Sequence, residues 1–243
     1  MKASPSDQAR LLELAALDAG IRNAEHARRN PAQTARVKEL LALRQEQSTA
    51  LTGMLGARDD ARAELARIES DVVLVDARTA RDAGRLAATS SAKDAQGLEH
   101  EIASLTKRKS DLEDAELEIM ERLEAADAAV AAQEELIAAT NAEGARLSAE
   151  GKTAVADASA RIETATRDRS AVAAQVPSEL VALYDRLAER GVGAGELRQR
   201  TCEGCRMVLA GTDLQVLRRA ADDDVVMCPE CGCILVRTGE SGL

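Results

Sequence analysis

The chain has 243 residues, 30% of them charged, and a formal net charge of −10. Phe and Trp are absent and Tyr184 is the only tyrosine, which argues against one globule built on an aromatic core. Ala, Leu, Glu and Arg dominate and 45% of residues are apolar, so simple disorder is disfavoured and long helices or a coiled coil are expected.

Residues 1–176 carry a net −7 and residues 177–243 a net −3. Neither part has the positive excess of a dedicated nucleic-acid binder. Six lysines against 26 arginines, with abundant Ala, suggest a GC-rich bacterial genome. The first 20 residues lack the apolar core of a signal peptide, and no 18-residue apolar run occurs, so no membrane span is expected and a cytoplasmic location is.

In chain order, the first helix is predicted over 6–29. Asn30 is read as the cap of a second helix, 31–88, with Pro31 in its first turn. From Leu51 a 3-4 stripe runs Leu51, Met54, Arg58, Ala61, Leu65, Ile68, Val72, Val75, Thr79, Asp82 and Leu86. A second runs Leu98, Ile102, Leu105, Lys109, Leu112, Glu116, Ile119, Leu123, Ala126, Val130, Gln133 and Ile137. Such stripes are coiled-coil seams. Glu118–Arg122, Asp157–Arg161 and Glu163–Arg167 are expected i,i+4 pairs.

Between the stripes, ATSSAKD (88–94) offers Ser91 as a cap, with Asp94 three residues on. The chain is predicted to turn back there, giving a long antiparallel coiled-coil hairpin over 1–176 with its apex near Thr89–Ser91 and a break near 30–31. Pro31 then lies opposite about residue 149, between Gly144 and Gly151, where a bend or hinge is expected. The third helix covers about 92–174. Small seam residues (Ala126, Gly144, Gly151) weaken the hydrophobic drive, so the stalk calls for a partner or a second copy of itself. The histidines, His26 and His100, are read as ordinary surface or seam residues.

A short amphipathic helix is predicted over 178–190, capped by Ser178, with Leu180, Leu183, Tyr184 and Leu187 on one face. GVGAG (191–195) reads as a flexible connector. All five cysteines follow, making 177–243 a short helix plus a small β-rich ribbon. Cys202-x2-Cys205 and Cys228-x2-Cys231 stand 22 residues apart. Each CxxC turns two thiolates toward one ion, and two such turns complete a tetrahedron of sulfurs suited to one structural Zn²⁺. Gly204 and Gly232 supply backbone freedom in these turns. An iron centre would use the same four ligands, whereas a redox CxxC would need a βαβ context that is missing. Four sulfurs leave no open position for Lewis-acid catalysis. The spacing assigns Cys202, Cys205, Cys228 and Cys231 as ligands and leaves Cys233 half-buried at the start of a strand. RMVLA (206–210) is a weak strand signal, CILVR (233–237) a stronger one, and DLQVLRRA (213–220) a short helix.

The helical hairpin, the segment PSELVALYDRL, the Gly-rich joint, CEGCRMVL and VVMCPECGCILVR together resemble the bacterial C4-type zinc-ribbon coiled-coil proteins. The apex segment SSAKDAQGLEHEI is similar to that family's loop-to-helix motif. The resemblance spans essentially the whole chain and is sharpest in its last 65 or so residues. It implies zinc on the same four cysteines and a two-part protein. It also implies either nucleic-acid binding through the ribbon or an adaptor or chaperone role in flagellar or type III secretion assembly. Cys233 departs from the family pattern, in which the position after CPECG is basic or polar.

No nucleophile–base pair, phosphate loop or pocketed carboxylate pair is present, and an enzyme is not expected. The favoured reading is a non-catalytic zinc-binding adaptor or scaffold with a protein partner. The alternative is a nucleic-acid-binding regulator in which Arg198, Arg200, Arg206, Arg218, Arg219 and Arg237 contact phosphates, opposed by Asp222, Asp223 and Asp224. A third reading is a metal- or redox-responsive switch at Cys233.

Overall fold

The computed structural model describes residues 1–243. Its elements are α1 (Pro5–Arg29), α2 (Thr34–Ala88), α3 (Ala92–Ala173), α4 (Ser178–Ala188), β1 (Ala194–Arg198), β2 (Thr201–Cys202), α5 (Gly211–Arg219), β3 (Val226–Met227) and β4 (Ile234–Arg237). The protein is mainly α, with a small sheet at its C-terminal end.

α1 starts where Ser4 Oγ accepts the Asp7 N–H at 3.1 Å, with Pro5 in the first position. Its end corrects the expected break. Asn30 closes α1 rather than opening α2, donating its N–H to His26 O at 2.9 Å. A residue before proline is disfavoured in the α region, so the helix stops there. Pro31 stands in the connecting turn and accepts the Thr34 N–H, delaying α2 to Thr34. At the apex, the Asp94 N–H donates to Ser91 Oγ at 3.4 Å, as the capping motif predicts.

The chain forms two compact units. One is Ala35–Ser148, the hairpin of α2 and the first part of α3. All 23 residues of the two predicted seam stripes are buried or half-buried there. Four of the five charged or amide seam members have partners. Lys109 Nζ donates to Asp76 at 2.7 Å, and Arg58 reaches Asp59 at 3.0 Å. Asp82 lies 3.2 Å from Arg85, and Gln133 donates to Gln47 O at 2.9 Å. The cross-arm pairs Gln133–Gln47, Arg62–Asp127, Arg122–Glu64 and Arg78–Glu101 converge in number toward the apex, which fixes the antiparallel register. None of the three expected i,i+4 pairs closes. Arg122 instead crosses to Glu64 at 3.1 Å, and the exposed pairs nearer the end of α3 have little to hold them. α3 is continuous through Gly144 and Gly151, so helix interruption is confined to the first arm.

The other unit joins Met1–Thr34 to Ala149–Leu243. One core holds Leu11 and Leu14 of α1, Val176, Leu180 and Tyr184 at α4, and Ala194, Ile234 and Val236 of the sheet. The packing therefore divides the chain elsewhere than at residue 176, because α1 has its apolar face against α4 and the ribbon strands. Pro177, not Ser178, is the N-cap of α4, and no side chain caps it.

The sheet order is β2-β1-β4-β3. β1 and β4 are parallel, with Ala194 opposite Ile234 and Leu197 opposite Arg237, while β2 and β3 pair antiparallel on either side. The expected connector GVGAG is instead packed. Gly193, Ala194 and Gly195 are buried, and β1 starts at Ala194. A Cβ on Gly193 would lie 2.5 Å from the Tyr184 ring, and one on Gly195 would lie 2.7 Å from the backbone N of Gly204. These glycines permit close approach rather than motion. RMVLA forms no strand, only a bridge of Val208 to Thr201, while CILVR and DLQVLRRA become β4 and α5.

Candidate metal centre

The two CxxC segments leave the ends of the sheet as matching turns. Cys202 ends β2, and its carbonyl accepts the Arg206 N–H at 2.6 Å. Cys228 follows β3, and its carbonyl accepts the Gly232 N–H at 2.9 Å. Arg206 and Gly232 occupy equivalent places after the second cysteine of each turn, and both are left-handed, with φ of 58° and 74°. Glycine suits that conformation; arginine adopts it at a cost.

The Sγ atoms of Cys202, Cys205, Cys228 and Cys231 all lie within 4.8 Å of one another. Cys205 and Cys228 are 3.9 Å apart at sulfur. Zn–S bonds of about 2.3 Å in a tetrahedron place sulfurs about 3.8 Å apart, so the four thiols fit one zinc ion. Burial pushes the Cys228 thiol up to about 12, opposed by backbone N–H groups of Cys231 and Glu230. At exposed Cys231 the upward effect of burial is outweighed by the Cys233 N–H and neighbouring thiols, and its thiol is held below the ordinary range. Backbone donors thus face the sulfurs, as thiolate ligands require.

Cys233 is not half-buried but fully so, at 1% exposure, immediately before β4. Its Sγ is 3.7 Å from that of Cys202, and a Cβ on Gly204 would come within 3.1 Å of it. It packs with Leu197, Leu209, Leu214, Leu217 and Leu235. Burial pushes its thiol well above the usual range, the opposite of a reactive thiolate. Cys233 therefore behaves as a small core side chain between the two turns.

The six ribbon arginines separate into two groups. Arg237 is committed to structure: its guanidinium donates to the carbonyls of Ala220 at 3.0 Å, Ala221 at 2.6 Å and Asp224 at 2.9 Å, closing the end of α5. Arg198 pairs with Glu240 at 2.9 Å, and Arg200 donates to Gly242 O at 3.4 Å. Arg206, Arg218 and Arg219 are exposed. The opposing acids are engaged as well. Lys2 Nζ lies 2.8 Å from Asp223 and 3.6 Å from Asp224, the Ala3 N–H donates to Asp223 O, and the Val225 N–H donates to Met1 O. Sequence reasoning missed this N-terminal clamp. Its only local signal is a lone lysine at position 2.

Residues 14–192 match the CT398-like coiled coil hairpin domain, and residues 201–235 match the C4-type zinc ribbon domain. The chain belongs to the CT398-like coiled-coil hairpin family. It is 35% identical to the uncharacterized protein Rv2229c of Mycobacterium tuberculosis over 245 residues, covering 98% of both chains. It is 30% identical to the uncharacterized protein ML1638 of Mycobacterium leprae over 184 residues, covering 73% of this chain and 78% of that one. A solved structure from Mycobacterium smegmatis superposes with a TM-score of 0.78 at 33% identity, covering 98% of this chain and 100% of the other. CT398 from Chlamydia trachomatis shares the fold, with a TM-score of 0.59 at 15% identity over 96% and 98% of the two chains. The CT398-like hairpin and C4 ribbon account for the predicted resemblance and for one structural Zn²⁺ in the ribbon. No helix is long and apolar enough to cross a membrane.

Proposed function

We propose that this family member is a non-catalytic adaptor. Cys202, Cys205, Cys228 and Cys231 hold one structural zinc ion, and the hairpin arms and ribbon present surfaces to a protein partner. The observation that carries this reading is a surplus of large apolar side chains outside the seam. Val73, Leu74, Leu117 and Leu136 are each more than half exposed on the hairpin, although the seam is already filled by other residues. Met207, Val208 and Val216 are likewise exposed on the ribbon. Exposed apolar side chains framed by charge are what a partner protein covers.

The test is affinity capture with the zinc-loaded full chain after nuclease treatment, beside the Val73→Glu/Leu74→Glu variant. Proteins retained by the wild type and lost from a variant with unchanged helicity and zinc content support the adaptor. Equal recovery on both, or none that survives nuclease, overturns it. Nucleic-acid binding through the ribbon arginines has less behind it. Residues 194–243 carry six arginines against eight acidic residues, and Arg198, Arg200 and Arg237 have partners within the fold.

A further inference from the structure

A cleft of about 670 Å³ lies where the first turn of α1 meets the end of α5 and the turn after β4. Its volume falls in the range of about 300–1,000 Å³ usual for small-molecule sites. Pro5 and Leu217 give it an apolar wall, and four polar side chains with unused capacity line the rest. Two of the four are buried. Gln8 is 2% exposed; its Nε2 donates to Ala3 O at 2.9 Å and to Asp222 O at 3.2 Å, which leaves Oε1 an acceptor with no donor. That oxygen is not enclosed by the fold, so it opens on the cleft. Ser241 is 3% exposed; its Oγ accepts the Thr238 N–H at 2.8 Å, and its hydroxyl proton has no acceptor. The other two are exposed and of opposite sign. Arg218, in the last turn of α5, and Asp222 enter no ion pair, with each other or with any other residue. Arg237, the remaining cation of the cleft, is taken up by the carbonyls that close α5.

We infer that this cleft binds a small zwitterion of the amino-acid class, a free amino acid or a short peptide with both ends unblocked. The ligand's ammonium group donates to Asp222 and to Gln8 Oε1, which the Gln8–Asp222 hydrogen bond sets side by side. Its carboxylate accepts from Arg218 and from the Ser241 hydroxyl. The same groups disfavour a ligand of one sign. An anion drawn to Arg218 would meet a carboxylate and an amide oxygen, both of which only accept. A simple cation drawn to Asp222 would meet Arg218. An apolar ligand would cover Gln8 Oε1 without supplying a donor, at the cost of an unmade hydrogen bond. The spacing suits a zwitterion: Asp222 stands four residues beyond Arg218, so their backbones are at most about 14 Å apart, and the ends of a two- or three-residue extended peptide span roughly 7–10 Å. The inference is independent of the adaptor reading, and its failure leaves that reading standing.

Isothermal titration calorimetry of the zinc-loaded full chain tests it, with leucine, with the tripeptide Ala-Leu-Ala, and with the N-acetylated and C-amidated forms of each. A dissociation constant below about 1 mM is expected for leucine or for the free tripeptide, and the tighter of the two identifies the source of the zwitterion. Blocking either end of that ligand is expected to weaken it about tenfold, the loss of one charged hydrogen-bonding group. Asp222→Asn is expected to weaken the free ligand about tenfold and to change the N-acetylated form less than about twofold. Arg218→Gln is expected to do the same for the free and C-amidated forms. Arg219→Gln, which removes a neighbouring cation outside the cleft, is expected to change binding less than about twofold. Helicity and zinc content monitor folding of each variant. No heat at about 10 mM ligand, equal binding of blocked and free forms, or undiminished binding by Asp222→Asn or Arg218→Gln overturns the proposal. So does an equal loss from Arg219→Gln, or tighter binding of phosphoethanolamine than of either carboxylate ligand.

Discussion

The Tyr184 hydroxyl donates a hydrogen bond of 2.7 Å to Asp18, 166 positions earlier in the chain. The same carboxylate accepts from Arg169 Nε at 2.6 Å, and Arg169 also donates to Asp185 at 2.5 Å. One carboxylate therefore ties α1, α3 and α4 together at the only tyrosine in the protein. Burial and the adjacent Asp18 carboxylate keep the Tyr184 hydroxyl protonated, above its usual range.

Removing that carboxylate leaves the buried Tyr184 hydroxyl without its acceptor and the half-buried Arg169 with Asp185 alone. Asp18→Ala should cost about 2–3 kcal/mol, and Tyr184→Phe, which deletes one neutral donor, only about 1 kcal/mol. Urea unfolding followed by Tyr184 fluorescence measures the first, and circular dichroism compares both. Equal losses would show that the hydroxyl, not the carboxylate, is the centre of the network.

The packed glycines make a second prediction. Gly193→Ala and Gly195→Ala should each cost roughly 2–3 kcal/mol, because the new methyl meets the Tyr184 ring or the Gly204 backbone. Gly56→Ala in α2, with nothing within 4 Å, should instead stabilise by about 1 kcal/mol. Thermal melts of the three variants decide whether β1 is a close-packed strand or a loose joint.

Arg206 and Gly232 share a left-handed conformation at equivalent places in the two turns. Arg206→Gly should raise stability by about 1 kcal/mol, and Gly232→Ala should lower it by about 1–2 kcal/mol. A melt in excess zinc reads both. Destabilisation by Arg206→Gly would assign the arginine a contact worth more than its backbone conformation costs.

Serine at Cys202, Cys205, Cys228 or Cys231 should abolish stoichiometric zinc, measured by atomic absorption on the purified chain. Cys233→Ser should retain one zinc per chain while losing about 1–2 kcal/mol, because it buries a hydroxyl among leucines. Loss of zinc from Cys233→Ser would move the fourth ligand from Cys231 to Cys233.

Zinc binding should also follow pH. The Cys228 thiol, pushed up to about 12 by burial, holds its proton at neutral pH until the ion displaces it. Lowering the pH increases that competition, so apparent zinc affinity should fall from pH 8 to pH 6, as read by competition with a chromophoric chelator. Chelation should loosen residues 194–243, seen as faster amide exchange, while most signal at 222 nm persists in α2 and α3, whose seam does not involve the metal.

The hairpin was legible because its information is periodic. Every residue of the 3-4 stripes from Leu51 and Leu98 turned inward, including Arg58, Asp82, Lys109 and Gln133, whose polarity hid partners across the seam or one turn along their own helix. The apex was readable from Ser91 and Asp94, and the metal site from cysteine spacing, since both are local motifs. GVGAG was misread because two close-approach glycines look like a linker until the Tyr184 ring and Gly204 are placed against them.

By itself, then, the sequence determined the helical hairpin, its turn, the C4 cluster and the family, all encoded by repeats or spacings within one segment. Tertiary structure alone decided three other things. α1 and residues 1–3 join the ribbon, Asp18 becomes the hub for Arg169 and Tyr184, and Cys233 fills a gap between two metal turns. Each of these joins residues far apart in the chain, and such pairings arise only when burial and hydrogen-bond satisfaction are settled for the whole core at once.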